Sequence, residues 1–376
     1  MSPIKIFHTA DLHIGAEVSY LGAKAEERRY EALSVFKNIV AYCINSNVEI
    51  CLIAGDLFDS NSAAAEFAPS VFEYMSAAKN VRFFYVAGNH DPLDAASAMQ
   101  GRLLPENLHV FGPDYETAEL PEYSLRIVGR SFSHSSMETV PFTTVFPDDG
   151  TKTVLLLHAD AGADKSSPYN PIDRDFIENS GADYLALGHI HKRTSPAKFG
   201  KTTFAYPGTP EGHGFDEDGV KGGYLVTLDD GRADLSFVRL CRRVHRIEKV
   251  DISAATSSIT AAEIIEKKLL ESYGAAYPED LYKIILTGYV SEGVTLKPAE
   301  ILANLKDKLY FVKIKDATRK AYNLEALKSE VSLKGVFVKR MLAKIEAASE
   351  NDKPLLESAL YIGLSAFDSE VTVNED

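Results

Sequence analysis

The chain has 376 residues and a formal net charge of −14, so it is long for one core and lacks the overall basic footprint usual in nucleic-acid partners. No run approaches eighteen apolar residues, and MSPIKIF lacks a basic segment followed by an apolar one, so neither a membrane span nor a signal peptide is expected. Cys43, Cys51 and Cys241 form no C-x-x-C and read as reduced, mostly buried thiols of a cytoplasmic protein.

In chain order, the apolar run IKIFHTA opens a series of strand-like segments, continued by VEICLIAG, VRFFYVAG, TVLLLHA and ADYLALGH. Most end in a polar or glycine-bearing cluster. Between the early ones lie helical patterns; AEERRYEALSVFKNIVAYCI sets Leu33, Phe36, Val40 and Cys43 at helical spacing. This alternation predicts an α/β fold with ligand chemistry at the carboxyl ends of the strands. TTFAYPG, GGYLVTL and ADLSFVRL then follow one another without helices and predict a second, more antiparallel sheet. Two sheets covered by helices, a four-layer α-β-β-α sandwich, fit this order best.

Near residue 251 the pattern changes. TAAEIIEKKLLESYG and KPAEILANLKDKL read as helices, LYKIILTGYV and LYFVKI as strands, and KGVFVKRMLAKIEAA and DKPLLESALYIGLSAF as closing helices. The predicted division is therefore 1–250 and a smaller α+β domain at 251–376, which ends in the acidic tail SEVTVNED and contains no histidine. Charge is uneven. Residues 306–340 hold ten Lys and Arg against four Asp and Glu, and RLCRRVHRIEK (239–249) is also basic. Either a binding patch or a solvated face has this composition. A site holding two divalent cations would in addition offset about four negative charges.

Five polar clusters stand at predicted strand ends in the first domain: HTADLHIG, AGDLFD, AGNHD, LLHAD and GHIH. They contain five of the ten histidines, His13, His90, His158, His189 and His191. Alternate residues of an extended chain share a face about 6.5–7 Å apart, which lets His189 and His191 reach one cluster from the same side. Mixed carboxylate, amide and imidazole donors suit Mn²⁺, Fe or Zn²⁺ better than Mg²⁺ or Ca²⁺. A dinuclear centre follows: Asp56 as the shared central carboxylate, Asp11 and His13 toward one ion, Asn89 and His158 toward the other, and His189 and His191 one to each. His90 would then face the substrate as a proton donor, with Asp91 fixing its tautomer. Asp59 and Asp160 fit either loop caps or supporting carboxylates. His8 reads as packed, and His109, His134 and His245 as structural or surface residues.

These five blocks, D-x-H, G-D, G-N-H-D, H and G-H-x-H, resemble the calcineurin-like metallophosphoesterase superfamily. HTADLHIG, GDLFD and the segment YPGTPEGHGFDEDGVKGGYLV (206–226) are most similar to its SbcD group of DNA repair nucleases, which includes the YhaO-type exonucleases. The likeness covers residues 4–250. It implies one ion on Asp11, His13, Asp56 and His191, a second on Asp56, Asn89, His158 and His189, and His90 as the catalytic histidine. It further implies a Mn²⁺-dependent DNA exonuclease or single-strand endonuclease that attacks phosphorus with a hydroxide bridging the ions. The 251–376 region would act as the capping domain. The resemblance also implies a homodimer with the helix at 62–78 at its interface, and a coiled-coil SbcC-like ABC ATPase as partner. The last helices (334–366) are one candidate site for that ATPase. The absence of a G-x-x-x-x-G-K-[ST] loop places any ATP dependence on such a partner. A small-molecule or nucleotide phosphodiesterase, and a non-catalytic DNA-end-binding subunit, are the alternative readings.

Overall fold

The computed structural model describes residues 3–95, 97, 99, 102–138, 150–164, 166–291 and 293–368, so the tail at 369–376 lies outside the described residues. Two units emerge, Met1–His245 and Arg246–Asp376. The first begins with β1 (Ile4–Thr9), α1 (Ala25–Asn45), β2 (Ile50–Ala54), α2 (Asn61–Ala77), β3 (Arg82–Val86) and β4 (Leu108–Val110). It continues with β5 (Glu116–Leu120), β6 (Leu125–Arg130), β7 (Lys152–His158), the short β8 (Asp160–Ala161) and β9 (Pro171–Ile172), α3 (Arg174–Asn179) and β10 (Tyr184–Gly188). β11 (Ala197–Phe199), β12 (Thr202–Ala205), β13 (Gly222–Asp229) and β14 (Arg232–Arg239) complete it.

One sheet has the order β14-β13-β1-β2-β3-β4, with β1 to β4 parallel. The other runs β11-β12-β10-β7-β6-β5, parallel from β6 to β12 and antiparallel at both edges. Strand alternation builds the layers. Ile50, Leu52 and Ala54 of β2 meet Val154, Leu156, Tyr184 and Ala186 between the sheets. Cys51 and Ile53 point the other way, onto Val35, Phe36 and Ile39 of α1 and Val71 and Met75 of α2. On the far side Leu185 and Leu187 pack against Ile177 of α3. Strands buried on both faces must be apolar throughout, which is why these runs show little polar alternation. Each fully buried aliphatic side chain contributes roughly 1.5–3 kcal/mol. The result is the expected four-layer sandwich.

The late strands depart from expectation. TTFAYPG supplies β12, which joins the second sheet parallel to β10, whereas GGYLVTL and ADLSFVRL form a hairpin that returns to the first sheet. There β13 lies antiparallel to β1, pairing Ile4 with Leu228 and Ile6 with Val226. The physical reason is the free edge of β1. Tyr224, Val226 and Leu228 extend the apolar layer between the sheets past that edge.

Two stretches singled out for their composition are engaged within the chain itself. The apolar excess at 62–78 goes into the chain's own packing, since Ala63, Ala64, Phe67, Ala68, Val71, Phe72 and Met75 are buried. In the basic run 239–249, Arg243 binds Glu31 at 2.8 Å and Arg242 binds it at 2.7 Å, while Arg246 meets Asp280 at 2.6 Å. Three of its five cations are thus matched within the chain, while Arg239, Arg242 and Lys249 remain exposed.

The second unit carries β15 (His245–Asp251), α4 (Ser258–Tyr273), β16 (Leu281–Thr287), β17 (Tyr289–Val290), α5 (Pro298–Leu305), β18 (Phe311–Asp316) and β19 (Arg319–Lys320). β15, β16 and β18 form a sheet against which Ile265 and Leu269 of α4 and Ile301 and Leu305 of α5 are buried. α6 (Leu324–Ser329), α7 (Leu333–Ala347) and α8 (Lys353–Phe367) follow, packed around Val338, Leu360 and Leu364. Among the described residues no helix is long and apolar enough to cross a membrane.

Candidate metal centre

Asp11 and His13 follow β1, Asp56 follows β2, Asn89 follows β3, His158 ends β7, and His189 and His191 follow β10. Both sheets thus deliver their carboxyl ends to one place. Asp11, His13, Asp56 and His189 all take positive φ, at 52°, 45°, 47° and 101°. Each such non-glycine residue costs on the order of 1–3 kcal/mol, a strain that clusters at functional sites. Backbone bonds hold the turns, with Asp11 N–H donating to Gly55 O at 3.1 Å and His13 N–H to Asp56 O at 3.0 Å.

Two glycines make room. A Cβ on Gly55, itself at φ +91°, would lie 2.1 Å from His158 Nδ1, and one on Gly88 would lie 2.1 Å from Asp56 Oδ1.

The hydrogen bonds show which atoms are left for a ligand. Asp11 Oδ1 accepts from His189 N–H and Asp56 Oδ1 from His90 N–H, both at 2.9 Å. Asp11 Oδ2 is buried with no partner. His158 donates Nδ1–H to Ala54 O at 2.9 Å, which turns its Nε2 to Asn89 Oδ1 at 3.0 Å and Asp56 Oδ2 at 3.4 Å. His13 turns Nδ1 to Asp59 Oδ1 at 3.3 Å, and His191 turns Nδ1 to Glu217 Oε1. Their two Nε2 atoms then meet each other at 3.0 Å. Carboxylate, amide and imidazole ligand atoms thus converge, an arrangement that needs positive charge among them, as protons or as metal ions. Three groupings have donor atoms close enough to share an ion: Asp11, His13 and His191; His13, Asp56 and His90; and Asp11, Asp56 and His158. The donor set fits two divalent cations.

In the chain without cations protons supply that charge, and metal binding would displace them. Burial pushes the Asp11 carboxyl up and the Asp56 charge adds to it, against the pull of the neighbouring imidazoles. Asp56 is held well below the usual carboxylate range, because His158, His13 and His90 overcome its burial. Burial lowers His158, but Asp56 and Asp11 overrule it and raise the ring to about 9. His13 is likewise raised to about 8, with Asp59 and Asp56 outweighing burial. At His189 burial and the His158 charge outweigh Asp56 and lower the ring to about 4. The cluster gathers positive charge wherever its carboxylates reach.

Asp91 does not take the role expected of it. It turns inward, where its two oxygens accept Phe58 N–H and Gly88 N–H at 2.9 Å each. A carboxylate pinned by two buried amides is a fixture of the turn. Asp59 stands beside His90 instead: His90 Nδ1–H donates to Asp59 O at 3.1 Å, and the Asp59 carboxylate lies 3.9 Å from the same nitrogen. The His90 ring is exposed and sits edge-on to His13, with centroids 4.6 Å apart.

Two residues escaped the reading of the sequence. Glu217 engages His191, and His213 is half-buried with its ring 5.7 Å from that of His13. Both lie in the 206–226 segment, whose composition marked it without assigning it a task. Asp160 accepts from Ser167 Oγ at 3.2 Å as a loop brace. His8 is buried between the Tyr184 hydroxyl at 2.7 Å and Leu187 O at 3.2 Å, while His109 packs on Phe84 and Phe111 and His245 Nε2 shares a hydrogen bond with the Tyr20 hydroxyl. His134 is exposed next to Ser133.

The profile of the calcineurin-like phosphoesterase family matches residues 4–193. The chain is 27% identical over 283 residues to the "Uncharacterized metallophosphoesterase YhaO" of Bacillus subtilis, covering 71% of this chain and 67% of that protein. It is 22% identical over 304 residues to the "DNA double-strand break repair protein Mre11" of Saccharolobus solfataricus, covering 76% and 75%. The Mre11 protein of Aeropyrum pernix is 25% identical over 324 residues, covering 80% and 76%.

Proposed function

The chain belongs to the calcineurin-like phosphoesterase family, and from that premise we propose that this metal-dependent phosphoesterase is a nuclease hydrolysing phosphodiester bonds in DNA. The observation that carries the hydrolytic chemistry is the convergence of metal-ligand atoms from both sheets, above all the facing Nε2 atoms of His13 and His191. DNA as substrate rests on the relatives named for double-strand break repair and on the 206–226 segment. SbcD-like specificity is part of the same reading.

Asp11, His13, Asp56 and His191 would hold one divalent ion, and Asp56, Asn89, His158 and His189 the other. Two such ions, Mn²⁺ in this reading, supply Lewis-acid activation of the phosphodiester and of the attacking water. The chain's own residues do the rest. Asp56, common to both ligand sets, is buried and held in place by His90 N–H donating to its Oδ1 at 2.9 Å. Ala54 O fixes the His158 tautomer and keeps Nε2 turned into the site. His90, exposed at the rim with Nδ1 tied to Asp59 O, keeps Nε2 for the proton that the leaving 3′-oxygen needs. As partners we propose DNA, a second copy of this chain and a coiled-coil ABC-type ATPase. The unit from Arg246 onward would be the capping domain, and the setting is the cytoplasm.

The test is purified protein with Mn²⁺ and an end-labelled DNA duplex, alongside bis-p-nitrophenyl phosphate, with Asp56→Asn as the control. Shortening of the duplex by the wild type but not the variant is the expected result. Cleavage of the small diester with the duplex intact, in the presence and absence of a coiled-coil ATPase, would replace DNA by a small-molecule substrate. Salt-sensitive DNA binding without cleavage of either substrate would leave only an end-binding role.

A further inference from the structure

The two histidines assigned to the first ion, His13 and His191, are each backed by a carboxylate on Nδ1. His13 faces Asp59 Oδ1 at 3.3 Å and His191 is bound by Glu217 Oε1. The histidines of the second ion are backed differently. His158 leans on the neutral carbonyl of Ala54 at 2.9 Å, and His189 packs against the Tyr169 ring, 4.7 Å between centroids. A carboxylate behind an imidazole makes the far nitrogen a stronger donor and adds negative charge near the cation; a carbonyl or a phenol ring does so far less.

Glu217 is itself firmly placed. Its other oxygen accepts His213 N–H at 2.7 Å and faces His213 Nδ1 at 3.5 Å. The loop carrying it is tied to His191 by Thr209 N–H donating to His191 O at 3.1 Å. Gly208, at φ +71°, passes so close that a Cβ would lie 2.6 Å from that same oxygen. Further along, Glu211 is buried against Arg28 at 2.5 Å and takes Arg242 N–H at 2.6 Å. A buried ion pair anchored by backbone amides resists displacement, because breaking it strands a charge.

We propose that the two cation positions are inequivalent, and that the position held by Asp11, His13, Asp56 and His191 fills first because Asp59 and Glu217 clamp its histidines. Asp59 and Glu217 are positioning residues: they act on the ion through His13 and His191. Asp56 is shared and Asp11 also stands 3.9 Å from His158 Nδ1, so what sets the first position apart is Asp59 and Glu217 behind its histidines. The proposal rests on the two-ion reading of the site.

The test is a calorimetric titration of chelator-stripped full-length protein with Mn²⁺, for the wild type and the Asn89→Ala, Glu217→Gln and Asp59→Asn variants. The wild type is expected to take up two ions in two steps, one tight and one weaker. Asn89→Ala should abolish the weaker step and keep the tight one. Glu217→Gln should weaken the tight step about 10–100-fold and leave the weaker one in place. Asp59→Asn should do the same from the His13 side, and decides the matter if Glu217→Gln fails to fold, which thermal unfolding of the metal-free protein reports. Two equal steps in the wild type, loss of the tight step in Asn89→Ala, or an unchanged tight step in both carboxylate variants would overturn the proposal while leaving two ions. Uptake of one ion or none would overturn the two-ion reading and this proposal with it.

Discussion

Gly88 runs directly beneath Asp56, and a Cβ at Gly88 would fall 2.1 Å from Asp56 Oδ1 and 2.6 Å from its backbone nitrogen. The central carboxylate of the site therefore depends on a missing side chain. Gly88→Ala must push Asp56 or the 88–90 turn aside, and a misplacement of about 1 Å costs about 10²-fold in rate. The expected outcome is a phosphodiesterase rate reduced by at least that factor together with weaker Mn²⁺ uptake, measured with bis-p-nitrophenyl phosphate and by calorimetry. Wild-type rate and uptake would count against this geometry.

His90 is exposed and its backbone N–H, not its ring, is what binds Asp56. His90→Asn keeps that amide and removes the ring. Turnover should fall by about 10²–10⁴-fold, the usual worth of a general acid, while the number of bound Mn²⁺ ions stays at the wild-type value. Metal analysis beside kinetics checks both halves, and a lost ion would make His90 a ligand.

Asp91 braces the turn, so its removal should act on stability. Asp91→Ala leaves the Phe58 and Gly88 amides buried and unpaired, each costing about 1–3 kcal/mol. Thermal unfolding of the metal-free variant should begin several degrees below wild type. An unchanged melting temperature would show that these amides find other acceptors.

His8 gives the fold an acid-sensitive term. In the folded chain burial lowers its pKa from 6.5 to about 3, despite the bond to Leu187 O, so the ring stays neutral there while the unfolded chain protonates it below about 6.5. The unfolded state then holds the extra proton, and stability is lost as pH falls between those values, by about 1.4 kcal/mol per pH unit. In His8→Gln that term is absent. Denaturant unfolding of chelated protein from pH 7 to pH 4 should show the wild-type advantage shrinking at about this slope. Parallel stability profiles would mean that the folded chain accepts a proton at His8 or that the ring is already solvated.

Strand-end chemistry was legible because a strand limits where its neighbours can go. Once IKIFHTA, VEICLIAG and ADYLALGH are read as parallel strands, Asp11, Asp56 and His189 must leave the same edge of the fold, and residue type marks them as candidate ligands. The layered α/β architecture followed from the same alternation. Tertiary structure decided what local pattern does not constrain. The β13–β14 hairpin returned to β1 because a free apolar edge 200 residues upstream needed covering, not because of anything adjacent to it. Asp91 follows His90 in sequence yet turns into the core, while Asp59, 31 residues earlier, stands beside that ring. Glu217 reaches His191 across 26 residues, through a loop fixed by the Arg28–Glu211 pair. Sequence thus supplied the donor atoms and the edge from which they emerge. Which proton each imidazole keeps, and which carboxylate stands behind it, depended on long-range packing, because those contacts form only when the separate elements meet.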